Sequence, residues 1–461
     1  MRILLVYPNV HGIRRIPLAL SYLSACLKQD GHEVQLFDAT FYRPSDEDND
    51  RREELEIVKP VDMSSVYRTH ISSDMRSDFI RQIEALDPDV IGVSLLQDNF
   101  DLTRGLLAGI KQRSRALVVI GGIMPTLAPE LVLKQIDCDA VIVGEGESAF
   151  PELVNRLSNH SDWRATRNLR YLDGERLVAN PMAAPVDLDT LPPLDYSLFE
   201  PEHLWRPFDG ACWKAGYFEL TRGCPYGCTF CANTTINSLY GAKGRIRHKT
   251  VGLFIEQAKK LVADNALNFG VFCDENFLSL RELQEFSRLW AGEIRIPFII
   301  QTRPESITDD RMRLLAEAGC ASISIGIESG DEEFRRKILN RNYSNARLIE
   351  AFQICKKHGI RTTANNMIGF PMETEANIKE TILLNQQCKP DSVSVAIFAP
   401  YIGCALYQYC RDNDLIDDGS MLSGDAHMYK TSLNLDASWK QMIARYFDNF
   451  NRLVYPAMQP S

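Results

Sequence analysis

The chain has 461 residues, 45% hydrophobic and 24% charged, with 51 basic and 61 acidic side chains and a net charge of −10. That composition suits a soluble protein of two domains with a small third segment, and the absence of a basic block argues against nucleic-acid binding. No apolar run approaches the ~20 residues of a membrane span, and the twelve cysteines are too scattered for a secreted disulfide framework, which points to a reducing cytoplasm.

The first 155 or so residues alternate strand and helix. Ile3–Tyr7 is an apolar strand; no small-residue cleavage site follows it, so it reads as buried sheet and not as a signal core. Pro17–Gln29 has helical spacing and stops at Gly31, and Glu33–Phe37 is the next strand. The acidic run Ser45–Asp50 reads as a solvated loop. A helix near Ser77–Leu86 precedes the strand Val90–Leu95, then come helix Leu102–Gln112, strand Ala116–Ile120, helix Pro129–Gln135, strand Ala140–Val143 and helix Ser148–Leu157. This alternation predicts a doubly wound, Rossmann-like parallel sheet with ligands at the strands' carboxyl ends. Residues 156–212 lose the rhythm, and Leu188–Tyr196 is proline-punctuated like a linker.

Periodicity returns with strands at Tyr217–Leu220, Phe269–Cys273, Pro297–Gln301, Ser322–Gly326, Arg361–Ile368 and Ser392–Phe398, separated by helices. Six βα units fall short of a closed eight-fold barrel, so an open, partial (β/α)6 barrel is expected. The expected boundaries are 1–158 for the first domain, 159–212 for the linker, 213–405 for the barrel and 406–461 for a mainly helical C-terminal segment.

The first barrel strand feeds into Thr221-Arg-Gly-Cys-Pro-Tyr-Gly-Cys-Thr-Phe-Cys-Ala232. Cys224, Cys228 and Cys231 stand at C-x3-C-x2-C spacing, with Gly223, Pro225 and Gly227 allowing the loop to curl. Three thiolates hold three irons of a [4Fe–4S] cluster and leave the fourth open to a small chelator. A zinc site normally has four Cys/His ligands, and a disulfide fails on the odd count. With Phe230 before the last cysteine, the motif resembles that of the radical S-adenosylmethionine (SAM) enzymes. The resemblance implies that SAM chelates the open iron and is cleaved by one electron to a 5′-deoxyadenosyl radical. It also implies a low-potential flavodoxin or ferredoxin as donor. Polar groups then follow at successive strand ends: Asp274-Glu275 toward the SAM ammonium, Arg303 toward its carboxylate, Glu328 toward ribose, and Gly369-Phe370-Pro371 as a turn that approaches adenine. Which of Asp274 and Glu275 faces inward stays open.

In the first domain, Ser94-Leu95-Leu96, Gly121-Gly122 and Gly144-Glu145-Gly146 end successive strands. Paired glycines there permit close approach of a ligand. The Ser-x-Leu…Gly-Gly pattern resembles cobalamin-binding domains, and with Pro17–Ser24, Gly31–Val34 and Leu191–Asp195 the resemblance to cobalamin-dependent radical SAM enzymes spans roughly residues 1–405. The motif that donates a cobalt-ligating histidine in other B12 proteins is absent, His11 reads as a solvated loop residue, and Met124 stands where many relatives carry histidine. What the resemblance implies is methylation of an unactivated carbon of a small molecule, with cyclisation or rearrangement as the alternative; a sensor would have no use for a radical generator. Cys212, Cys404 and Cys410 read as packing, with Cys404 the best candidate for a thiol near the substrate. Trp205, Trp213 and Tyr401 fit either a pocket mouth or aromatic core.

Overall fold

The computed structural model describes residues 1–43, 47–241, 246–416, 422 and 429–456. Seven strands form the first sheet: β1 (Arg2–Tyr7), β2 (Glu33–Asp38), β3 (Val90–Ser94), β4 (Leu117–Gly121), β5 (Ala140–Ile142), β6 (Leu169–Asp173) and β7 (Arg176–Ala179), in the order β2-β1-β3-β4-β5-β6-β7. The first five are parallel, as their near-continuous apolar character requires with helices on both faces. Strand order reverses between β1 and β3, which puts a crevice at their carboxyl ends.

The expected helix Leu102–Gln112 is two pieces, an α-helix Phe100–Leu107 and a 3-10 turn Ile110–Gln112, because Gly109 between them takes a φ of 69°. The acidic run expected as a loop is helical over Glu47–Glu54, where Arg51 pairs with Glu54 and Asp448 at 2.8 Å each; Ser45 and Asp46 lie outside the described residues. The stretch expected as an irregular linker contains β6 and β7, an antiparallel hairpin that extends the first sheet. Its alternation is only half-buried, so the apolar signal is faint.

The second sheet holds β8 (Trp205–Phe208), β9 (Ala211–Phe218), β12 (Phe269–Phe272), β13 (Phe298–Thr302), β14 (Cys320–Glu328), β15 (Arg361–Ile368) and β16 (Ser392–Ile397), in the order β16-β15-β14-β13-β12-β9-β8. All neighbours are parallel except β8 with β9. This is the six-unit partial barrel, with one added antiparallel edge strand. A two-stranded ribbon, β10 (Thr221–Arg222) with β11 (Arg247–His248), links cysteine loop to barrel. The core behind the barrel is aromatic: Phe218, Phe254, Phe272, Phe286, Trp290 and Phe298 are all buried with mostly edge-on or tilted contacts. The C-terminal helix Ala437–Val454 buries Ile443, Phe447 and Phe450 against the same core. Among the described residues no helix is long and apolar enough to cross a membrane.

Candidate active site

The cysteine loop leaves the end of β9 and is held from beneath. Asp274 is fully buried and accepts from the backbone N–H of Thr221 and, at 3.4 Å, of Leu220. Burial pushes its carboxyl from 3.8 up to about 8. Asp274 therefore supports the loop, which corrects the expectation that it reaches the SAM ammonium. Glu275 is the inward residue of the pair: it accepts from Gly223 N–H at 3.0 Å and borders the open space. Asn340 donates to Gly227 O at 2.6 Å and Asn237 to Cys224 O at 2.7 Å, while Thr229 bonds Ile338 O at 2.7 Å.

Cys228 is buried and Cys224 and Cys231 are half-buried. Burial raises the Cys224 thiol and pushes Cys231 up to about 11, with the neighbouring cysteines adding to both shifts. No three candidate ligands stand pre-assembled among the described residues. Even so, three soft sulfur donors on one pinned loop are the donor set an iron–sulfur cluster needs. Arg303 adds an N–H 3.2 Å from Cys228 Sγ. Its guanidinium lies 3.6 Å from the Tyr226 ring centroid and pairs with Glu305 at 2.7 Å. Arg303 thus braces the loop as well as placing a cation by it.

Glu328 has a φ of 63° and is ion-paired with Arg341, so its carboxylate is shared before any ribose arrives. Gly369 takes a φ of 80°, as a close turn requires, and its N–H and that of Phe370 both donate to buried Glu373. Burial pushes Glu373 up to about 8. Pro371 is buried in the same turn, and Phe370 packs on Phe230 with centroids 6.1 Å apart.

A cavity of about 340 Å³ lies on the carboxyl ends of the first sheet. Ser94, Leu96, Gly121, Gly122, Gly144, Glu145 and Gly146 line it. Leu95 does not: its side chain is fully buried and its N–H bonds Gly121 O at 2.8 Å. The glycines differ in purpose. A Cβ on Gly121 would meet nothing within 4 Å, so its missing side chain opens the cavity, whereas a Cβ on Gly122 would lie 2.6 Å from Leu95 O. An apolar crevice with a glycine floor and a serine at its rim fits the nucleotide tail of cobalamin. Glu145 is committed elsewhere, to Arg247 and, at 2.7 Å, to Val186 N–H.

The same cavity is lined by Gly223, Asn237 and Glu275, so it opens onto the cysteine loop. Helix Asn233–Tyr240 starts just after Cys231 and ends with the Tyr240 hydroxyl accepting from Glu145 N–H at 2.7 Å. Arg222 joins Glu147 and Glu219 at 2.8 Å each across the two domains. Tyr226, Tyr240 and the Arg222–Glu147 pair escape the motif reading because their partners are distant in sequence. Cys404 and Cys410 are buried; Cys404 packs with Tyr407, Tyr401 and Ala232. Trp213 is half-buried and meets Phe269 at a tilt, with ring centroids 5.2 Å apart. His11 is not simply solvated: its ring lies 3.8 Å from Asp98.

Two cofactor sites meeting over a partial barrel define an enzyme that runs one-electron chemistry with SAM beside a bound corrinoid. Comparison with known proteins agrees. The model of the radical SAM superfamily matches residues 218–384, and that of the B12 binding domain matches residues 14–154. The chain is 26% identical to an uncharacterised methyltransferase of Pyrococcus horikoshii, covering 90% of this chain and 84% of that one. It is also 26% identical to the anaerobic magnesium-protoporphyrin IX monomethyl ester cyclase of Rubrivivax gelatinosus, covering 89% and 70%. The fold is shared with the radical SAM methyltransferase TsrM of Kitasatospora setae, solved with cobalamin and a [4Fe–4S] cluster, at a TM-score of 0.69, 18% identity and coverage of 89% and 75%. The chain belongs to the radical SAM enzymes that carry a B12-binding domain, with a [4Fe–4S] cluster, SAM and cobalamin as cofactors.

Proposed function

We propose that this enzyme transfers a methyl group to an unactivated carbon of a small molecule lying between the cysteine loop and the first-domain cavity. The observation that carries the reading is the shared lining: Gly223, Asn237 and Glu275 border the crevice floored by Gly121 and Gly144. When bound, the cluster with SAM supplies a hydrogen-abstracting radical, and cobalamin supplies a methyl carrier. Cys224, Cys228 and Cys231 would hold the cluster. Asp274 fixes the backbone at Thr221, and Arg303 tempers the charge on Cys228. Glu275, Arg303 and the Gly369–Pro371 turn would orient SAM; Ser94, Gly121 and Gly144 would seat cobalamin. A flavodoxin or ferredoxin supplies the electron.

The cyclase relative, at the same 26% identity, supports a second reading without methyl transfer. The test is anaerobic reconstitution with cobalamin, followed by assay with methyl-labelled SAM, a reductant and a small-molecule extract. Equal yields of 5′-deoxyadenosine and S-adenosylhomocysteine, with label in a product, support methylation. Deoxyadenosine without S-adenosylhomocysteine sinks it in favour of the cyclase reading.

A further inference from the structure

The concave face of the barrel encloses a second and larger cavity, of about 610 Å³. It lies against Ile299, Ser322, Arg361 and Ser392, all near the starts of their strands, and is closed on the first-domain side by Arg15, Arg52 and Lys59. Asp209, in the β8–β9 turn, joins Arg361 at 3.3 Å across its floor.

The strand residues that face this space are polar. On β14 and β15, Ile323, Ile325 and Ala364 are fully buried toward the helices, while Ser322, Ser324, Thr363 and Asn365 line the lumen. Thr363 and Ser392 hydroxyls meet at 2.8 Å. A lumen built only to be filled would carry apolar side chains. Charge is also unusual. Arg14, Arg15, Arg52, Lys59, Arg206 and Arg361 line the cavity against Glu53, Glu56, Asp209 and Asp391, an excess of two positive charges in a chain of net −10.

The acids are already engaged. Asp209 serves Lys59 at 2.7 Å as well as Arg361, Glu56 pairs with Arg452 at 2.7 Å, and Asp391 accepts from Thr362 N–H at 2.8 Å. Arg15 is different: it is exposed to this space, and its guanidinium has no hydrogen bond or ion pair among the described residues. Arg15 therefore offers an uncommitted guanidinium to the polar floor.

We propose that this lumen receives the substrate, and that the substrate is an elongated organic oxyanion, a carboxylate or phosphate ester, whose acid end lies toward Arg15 and Arg361. The inference rests on the function proposed above, because the reacting carbon must then reach the cysteine-loop end. The strands span roughly 20 Å from Arg361 to Ile368, which is why the guest is long.

The test is calorimetric titration of the reconstituted holoenzyme with inorganic pyrophosphate, with citrate and with the neutral polyol myo-inositol. One or both oxyanions bind, salt weakens them, and inositol does not bind; which oxyanion wins separates phosphate from carboxylate. Arg15→Gln weakens binding about tenfold or more, and Ser324→Phe, which fills the lumen, abolishes it. Binding of neither oxyanion, equal binding of inositol, or binding unchanged in both variants overturns the proposal. Cobalamin content and SAM cleavage are read on the same wild-type sample. A sample that cleaves SAM and holds cobalamin but ignores oxyanions refutes this inference alone; one that binds oxyanions without cobalamin refutes the methyl-transfer reading alone.

Discussion

Arg303 lays its guanidinium 3.6 Å from the centroid of Tyr226 while one of its N–H groups reaches Cys228 Sγ at 3.2 Å. A residue from the third strand of the barrel thus clamps the loop that emerges from the first. Donors to a ligating sulfur, and nearby positive charge, favour the reduced state of a cluster. Arg303→Gln is expected to move the cluster's midpoint to more negative potential and slow SAM cleavage roughly tenfold, about 1.4 kcal/mol. Redox titration by electron paramagnetic resonance checks the first part, and deoxyadenosine formation the second. An unchanged midpoint would show that the contact to sulfur has no electronic weight.

Asp274 acts only through backbone. Asp274→Ala strands the N–H of Thr221 and is expected to cost about 1–3 kcal/mol and most of the bound iron; chemical denaturation and iron assay read the two. The pH dependence has a definite sign. Burial raises its folded-state carboxyl from 3.8 to about 8, so the folded protein holds a proton that the unfolded chain has lost. Its contribution is fully present below about pH 4 and is lost as pH rises to about 8. The stability difference between wild type and Asp274→Asn should shrink across that window. A difference independent of pH would rule out the titration.

Gly121 and Gly122 make opposite predictions from adjacent positions. Gly121→Leu projects into open space and is expected to fold normally but retain little cobalamin, as read by its visible absorbance. Gly122→Ala strikes Leu95 O from a backbone at φ 115° and is expected to lose about 1–3 kcal/mol of stability. Equal melting temperatures for the two variants would contradict this division of labour.

Arg222 serves carboxylates from both domains, and its side chain is only 15% exposed. Arg222→Met leaves Glu147 and Glu219 facing each other without a cation and is expected to cost about 3–5 kcal/mol. The double variant Arg222→Met with Glu147→Gln should recover part of it in a double-mutant cycle.

Much of this molecule is legible in its sequence because the signals are local. Strand–helix alternation marks both sheets, and the cysteine spacing marks the cluster loop. What stays hidden depends on contacts between distant segments. Asp274 and Glu275 look equivalent side by side, yet the turn after β12 sends one under the loop and the other to the cavity. Leu95 sits in a cobalamin-like motif but turns its side chain into the core. The hairpin β6–β7 is missed because half-buried strands carry weak periodicity, and Tyr240 because nothing in its own segment announces a partner at Glu145.

Helix Asn233–Tyr240 is about 12 Å long, beginning beside Cys231 and ending on the Gly144–Glu145 turn. One helix therefore touches both cofactor sites, and any coupling it carries is reciprocal: whatever factor cobalamin adds to cluster retention, the cluster returns to cobalamin. On that coupling, oxygen damage at the irons also loosens the vitamin held in the other domain.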